Sequence, residues 1–141
     1  MVSGRLTIRS SRRAALAQSV ECHDLAALFR VTNRFTDAEI LVRRALEIDE
    51  QRLGKDHPDV ATSLNNLAHV FAVSNRLAEA EPLFRRVVEI LLNSSRAAGH
   101  PRRNLQNAVS NYAGFLKKIG RNPEDTLATL RALAPELFQA Q

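Results

Sequence analysis

The chain has 141 residues, enough for one domain with a sizeable core and too few for two. Hydrophobic residues make up 45% and charged residues 25%, and no apolar stretch approaches the roughly 20 residues that a membrane-spanning helix needs. Ala, Leu, Arg and Glu dominate, whereas Gly and Pro number 5 each, so the composition predicts helices.

The net charge of +5 permits contact with nucleic acid or another anionic surface. Arg and Glu alternate along most of the chain, however, which is typical of solvated helix faces. Cys22 is the sole cysteine, so no intrachain disulfide can form and a reducing compartment is expected. The sequence therefore predicts a cytoplasmic protein.

The first residues, 1–14, carry several arginines and no acidic residue, and they lack the apolar run and cleavage site of a signal peptide. We predict a basic, flexible N-terminal segment over 1–14 and a single domain over 15–141.

The rest of the chain repeats itself with a period of 42 residues. Residues 24–29 (DLAALF) match 66–71 (NLAHVF), and the same spacing pairs 33–34 (NR) with 75–76 and 43–44 (RR) with 85–86. A weaker third copy includes 111–116 (NYAGFL). The units are expected at about 15–56, 57–99 and 100–140.

Each unit is predicted to form two antiparallel helices. In the middle unit, Leu64, Leu67 and Phe71 lie on one stripe of a helix with a period of 3.6 residues. Asn or Gly then provides a left-handed turn, and second helices are expected over about 37–53, 78–96 and 123–139. Thr36 and Glu39 fit a capping box for the first of these. Such pairs bury their apolar faces only by stacking, so we predict an all-α, right-handed superhelical solenoid of about three repeats.

The middle unit resembles the tetratricopeptide repeat (TPR). Leu67, Ala68 and Phe71, followed by Ala80 and Phe84, fit the pattern L-G-x-x-Y … A-x-x-x-F. The unit of 42 residues, with HPDVATSLNNLA at 57–68, is similar to the kinesin-light-chain-like branch, in which both helices are longer by about a turn. This resemblance implies a protein-protein interaction scaffold.

The stripe opposite the core stripe of each first helix carries several asparagines. An asparagine amide both donates and accepts hydrogen bonds, so it suits a peptide backbone. In tetratricopeptide proteins these positions line the concave groove that holds an extended peptide. The resemblance thus implies a peptide-binding groove with these members: His23, Asp24, Thr62, Asn65, Asn66, His69, Asn107, Asn111 and Lys118. The alternative is that they are solvated surface residues.

The last predicted helix carries more apolar residues than one contact needs. Leftover apolar surface at the end of a solenoid is typical of an interface. We therefore expect a homodimer, or the docking of a further repeat, through residues 127–138, with these contributors: Leu130, Leu133, Leu137 and Phe138.

The alternative function is binding of nucleic acid or another anionic surface through the repeated Arg-Arg pairs. Acidic residues lie three to four positions away from these pairs, and exposed aromatic residues for base stacking are missing. No nucleotide-binding, nucleophile-elbow or zinc-protease motif occurs, and Cys22 aligns with the core residue Leu64. We expect no enzymatic activity, no metal and no cofactor.

Overall fold

A computed structural model describes residues 2–100 and 103–139, with side chains from residue 13 onward. Its helices are α1 (Val2–Val31), α2 (Phe35–Leu53), α3 (Pro58–Val73), α4 (Leu77–Ala98), α5 (Arg103–Lys118) and α6 (Pro123–Leu133), followed by a 3-10 turn at Pro135–Phe138. No strand occurs in these ranges. The predicted all-α fold of three helix pairs is confirmed. The predicted flexibility of residues 1–14 stays a prediction, although α1 begins at Val2.

The helices pack consecutively, each against the one before it and the one after it. Small residues allow the close approach, since Ala38, Ala68 and Ala80 are fully buried at 0% exposure. Ala26 is buried as predicted, whereas Ala113 is only partly buried at the edge of the core.

Every helix pair is joined by the same kind of turn. Asn33 and Asn75 have positive φ angles of 58° and 63°, and Gly120 has a φ of 86°. After each of them, a backbone N–H donates to the carbonyl five residues earlier, as in Arg34 to Phe29 and Arg76 to Phe71, both at 2.8 Å. These are Schellman-type helix ends, which satisfy carbonyl groups that the helix leaves open. The predicted left-handed turns are confirmed.

The capping box that the sequence suggested at Thr36 does not form. Helix α2 begins at Phe35, so Arg34 and not Thr36 occupies the N-cap position. The side chain of Arg34 makes no capping hydrogen bond. The Schellman turn already positions Arg34, whose guanidinium stacks on Phe29 at 4.3 Å and pairs with Asp37 at 2.9 Å. The helix therefore begins before Thr36 can act as its cap.

The final helix is shorter than predicted. Helix α6 ends at Leu133 rather than near residue 139, and Ala134 has φ −136° and ψ 65°. Pro135 is the cause, because proline disfavours the helical conformation of the residue before it and lacks the N–H that a helix needs. The 3-10 turn then folds back towards α4, where Glu136 pairs with Arg96.

Helix α1 exposes residues whose repeat equivalents are buried. Leu25 and Leu28 are 46% and 58% exposed, whereas Leu67 and Val70, which lie 42 positions later, are 3% and 1% exposed. Both α1 and α3 pack against the second helix of their own pair, but α3 also packs against α2. The exposed face of α1 therefore corresponds to the face with which α3 meets the preceding unit.

Candidate functional site

A cleft of 220 Å³ lies between α3, α4 and α5. Its floor is apolar and includes Val87 and Leu91 of α4. Its walls carry one hydroxyl and four amide side chains: Thr62, Asn65, Asn104, Asn107 and Asn111. None of the described residues that line it is charged. We call it the α3–α5 cleft.

Asparagine amides face each other across this cleft. Asn111 donates from Nδ2 to Oδ1 of Asn65 at 3.4 Å, and both side chains are half-buried. An amide offers two donors and a carbonyl oxygen with two lone pairs, so this one contact leaves further hydrogen-bonding capacity on each side chain. The structure thus brings together four of the predicted groove residues at this cleft: Thr62, Asn65, Asn107 and Asn111. It adds Asn104, which sequence reasoning missed.

Asn66 belongs to a different polar group. Its Nδ2 lies 3.1 Å from Nδ1 of His23, and Nε2 of His23 lies 3.0 Å from Oγ of Ser63. The Ser63 hydroxyl donates in turn to Oδ2 of Asp49 at 2.7 Å. We call Asp49, Ser63, His23 and Asn66 the polar chain, which links α1, α2 and α3.

The carboxylate of Asp49 is the buried end of the polar chain. Asp49 is 5% exposed and Ser63 is 0% exposed. Ser19 also donates to Oδ2 of Asp49 at 3.0 Å, and Arg52 lies 3.5 Å from Oδ1. A buried charge is tolerated where such donors surround it. Asp49 was not predicted from the sequence, although it lies on the apolar stripe of α2 with Val42 and Ala45.

Ser63, His23 and Asp49 are the residue types of a hydrolytic triad, but their geometry differs. In a triad the histidine accepts the serine proton and the acid holds the far side of the imidazole ring. Here the Ser63 hydroxyl donates to Asp49, and the far nitrogen of His23 faces Asn66. Ser63 is also fully buried, so a substrate does not reach it. The geometry supports a structural polar group.

The remaining predicted groove residues lie apart from the cleft. His69 is half-buried, with its ring edge-on to Phe84 at a centroid distance of 5.2 Å. Burial lowers the pKa of His69, and the charges of Arg30 and Lys118 lower it further. His69 is therefore a neutral ring on the core rather than an open polar ligand. Asp24 and Lys118 are exposed.

Cys22 is 6% exposed, as expected for a core thiol. Burial raises the pKa of this thiol, with Arg44 opposing the shift, so the group stays protonated. The described side chains contain no group of three or more His, Cys, Asp and Glu that could hold a metal ion. Among the described residues, no helix is long and apolar enough to cross a membrane.

Acidic neighbours accompany the Arg-Arg pairs of α2 and α4. Arg43 pairs with Glu39 at 2.8 Å, and Arg86 pairs with Asp56. A hydrogen bond with Tyr112 raises the pKa of Arg85. One arginine of each pair is thus held in an ion pair, which weakens the attraction of the predicted basic stripe for phosphates.

The C-terminal apolar residues divide into two groups. Leu130 is 7% exposed and Leu133 packs partly buried against the core. Leu137 and Phe138 are 38% and 39% exposed and line a cavity of 540 Å³ beside α5. Of the four predicted contact residues, only Leu137 and Phe138 are thus exposed to a second molecule.

Comparison with protein families finds that the tetratricopeptide repeat model matches residues 14–93, which is more than half of the chain. The match covers the first unit and most of the second, in which the repeat residues are best preserved. Comparison with curated protein sequences finds no significant match.

Proposed function

The chain belongs to the tetratricopeptide repeat family, whose repeats generally mediate protein-protein interaction, and we propose that it binds an extended segment of a partner protein along its first helices. The α3–α5 cleft is the observation that carries this proposal. Amide side chains line it above an apolar floor, at positions that α3 and α5 present in register.

The chemistry of the cleft favours recognition of the main chain. A peptide backbone alternates donors and acceptors, and an asparagine amide matches both without demanding a particular side chain. The absence of charge among the described lining residues favours an uncharged stretch of the partner, and the floor at Val87 and Leu91 favours a small apolar side chain. An anionic partner such as nucleic acid has no matching charge in this cleft.

The kinesin-light-chain-like branch is part of the proposal. The repeat of 42 residues supports it, as do second helices of 19 and 22 residues in the first two units. We also propose a cytoplasmic site of action, because the single cysteine is a buried free thiol and forms no disulfide.

A selection of random peptides displayed on phage tests the groove without knowledge of the partner. Peptides enriched on the wild-type chain are measured by calorimetry against the double variant Asn65→Ala/Asn111→Ala. We expect affinity to fall by about 1 kcal/mol or more for each lost amide, because a hydrogen bond is removed on desolvated surface.

Asn93→Ala is the matched control, since Asn93 is an exposed amide on α4, outside the cleft. Peptides that bind the double variant as tightly as the wild type place the binding site elsewhere. The thermal midpoints of all three proteins should lie within about 5 °C of one another, because Asn65 and Asn111 are half-buried and share a single long hydrogen bond.

Self-association through the C-terminal turn is a second proposal. Leu137 and Phe138 support it, since both are large, apolar and more than a third exposed. Sedimentation equilibrium at tens of micromolar should show a dimer that Phe138→Glu dissociates and that Gln139→Glu, at an exposed neighbour, leaves intact. A wild-type chain that is purely monomeric excludes this proposal.

A further inference from the structure

We infer that Asp49 fixes the direction of every hydrogen bond in the polar chain and thereby determines which amide group Asn66 offers to a partner. The inference rests on the proposed function for its consequence. Its structural part stands on the contacts among Asp49, Ser63, His23 and Asn66 alone.

The direction begins at the buried carboxylate, which only accepts hydrogen bonds. Ser63 donates its single hydroxyl proton to Oδ2 of Asp49 at 2.7 Å. Ser63 Oγ is then left with lone pairs alone, so the contact at 3.0 Å requires His23 to donate from Nε2. His23 therefore carries a proton on Nε2.

The proton on Nε2 determines the role of the other ring nitrogen, Nδ1. A neutral imidazole with its proton on Nε2 has a bare Nδ1, which only accepts. Asn66 lies with Nδ2 at 3.1 Å from that nitrogen and donates to it. The carbonyl oxygen of Asn66 is thus directed away from His23 and is the acceptor that α3 offers to a partner at this position.

Burial protects the hydrogen bonds at the Asp49 end of the polar chain from water. Ser63 is 0% exposed and Asp49 is 5% exposed, so water does not compete for their hydrogen bonds. Arg52 forms an ion pair with the other carboxylate oxygen, Oδ1, at 3.5 Å, and its guanidinium group donates and never accepts. The consequence for binding is specific: a partner places a donor, such as a backbone N–H, opposite Asn66.

Asp49→Asn tests the direction, because it keeps the shape of the side chain and adds a donor. Arg52 presents only donors, whereas the hydroxyls of Ser19 and Ser63 can rotate to accept. The amide oxygen therefore faces Arg52, and the amide nitrogen donates to Ser63. Ser63 then donates to Nε2 of His23, and the imidazole proton moves to Nδ1. Asn66 has to rotate its amide so that the oxygen meets this proton.

Nitrogen-15 NMR of the imidazole ring distinguishes the two tautomers directly. We expect the wild-type chain to show His23 protonated on Nε2 and Asp49→Asn to show it protonated on Nδ1. Glu21→Gln is the control, since it removes a negative charge from an exposed residue two positions before His23 and should leave the tautomer unchanged. A wild-type ring protonated on Nδ1, or a folded Asp49→Asn variant that retains Nε2–H, overturns the inference.

The wild-type spectrum decides the matter if Asp49→Asn does not fold. A wild-type Nε2 without a proton would mean that Ser63 donates to His23 rather than to Asp49. That result overturns the inference.

Binding is measured separately, with a peptide from the phage selection whose affinity depends on Asn66. Asp49→Asn should weaken that peptide about tenfold, as expected for a donor placed against a donor, while Glu21→Gln should not. Equal binding to Asp49→Asn overturns the consequence for Asn66. A selection that yields no peptide contradicts the proposed function and leaves the tautomer result standing.

Discussion

His69 gives the stability of the fold a dependence on pH. Its pKa in the folded chain is lowered by burial, and by the charges of Arg30 on α1 and Lys118 on α5, from an ordinary value of 6.5. As the pH falls below 6.5, His69 becomes protonated in the unfolded chain before it does in the folded chain. The contribution of His69 to stability is therefore complete above this pH and is lost below it.

His69→Gln removes the titration and keeps a polar side chain. We expect the free energy of unfolding to decrease from pH 7.5 to 5.5 less steeply in this variant than in the wild type. Urea unfolding at several pH values provides the two slopes, and the remaining histidines affect both proteins alike. Equal slopes would show that His69 titrates in the folded state as it does in the unfolded state.

Substitution of Ala68 tests whether the close approach of the helices requires a small side chain at this position. It is 0% exposed in the core, and Ala68→Leu should overpack that contact at a cost of roughly 1–3 kcal/mol. Ala78→Leu, at an exposed alanine of α4, should change stability by less than about 0.5 kcal/mol. Chemical denaturation of both variants tests the assignment of Ala68 to the core.

The turns are the elements in which sequence and structure agree most closely. Asn75 has a φ of 63°, which an alanine adopts only with strain. We expect Asn75→Ala to destabilise the chain by roughly 1–2 kcal/mol and Asn75→Gly to cost little or to stabilise it. Urea unfolding of the two variants makes the comparison, and equal stability of the alanine and glycine variants would argue against a strained turn.

Helix ends and the polar chain show where sequence reasoning stops. The leucines of 127–138 continue a helical stripe through Pro135, so apolar spacing alone predicted one long helix although the proline ends it. The amide face was predictable because spacing on one helix determines it. The partners of Asp49 were not, since Ser63 and His23 meet it only after α1, α2 and α3 have packed. An acidic residue on an apolar stripe was the available signal.

At the scale of the whole molecule, a solenoid is a row of units that each contact only their neighbours. The first unit has no described unit before it, and this difference is visible in equivalent residues. Leu28 is 58% exposed, whereas Val70 is 1% exposed. Val70 lies 42 positions later, on a helix that packs against α2 of the preceding pair. The contribution of a given repeat position to the free energy of unfolding should therefore differ between the first and the second unit.

Truncation of these two side chains measures that dependence. Val70→Ala removes buried methyl groups and should cost about 2 kcal/mol, whereas Leu28→Ala, which removes more atoms, should change stability by less than about 0.5 kcal/mol. Urea unfolding at low and high protein concentration provides both values. A cost for Leu28→Ala that grows with concentration would show that a second copy covers α1, because only an association depends on concentration. A large cost that is independent of concentration would instead contradict the exposure of this face within the monomer.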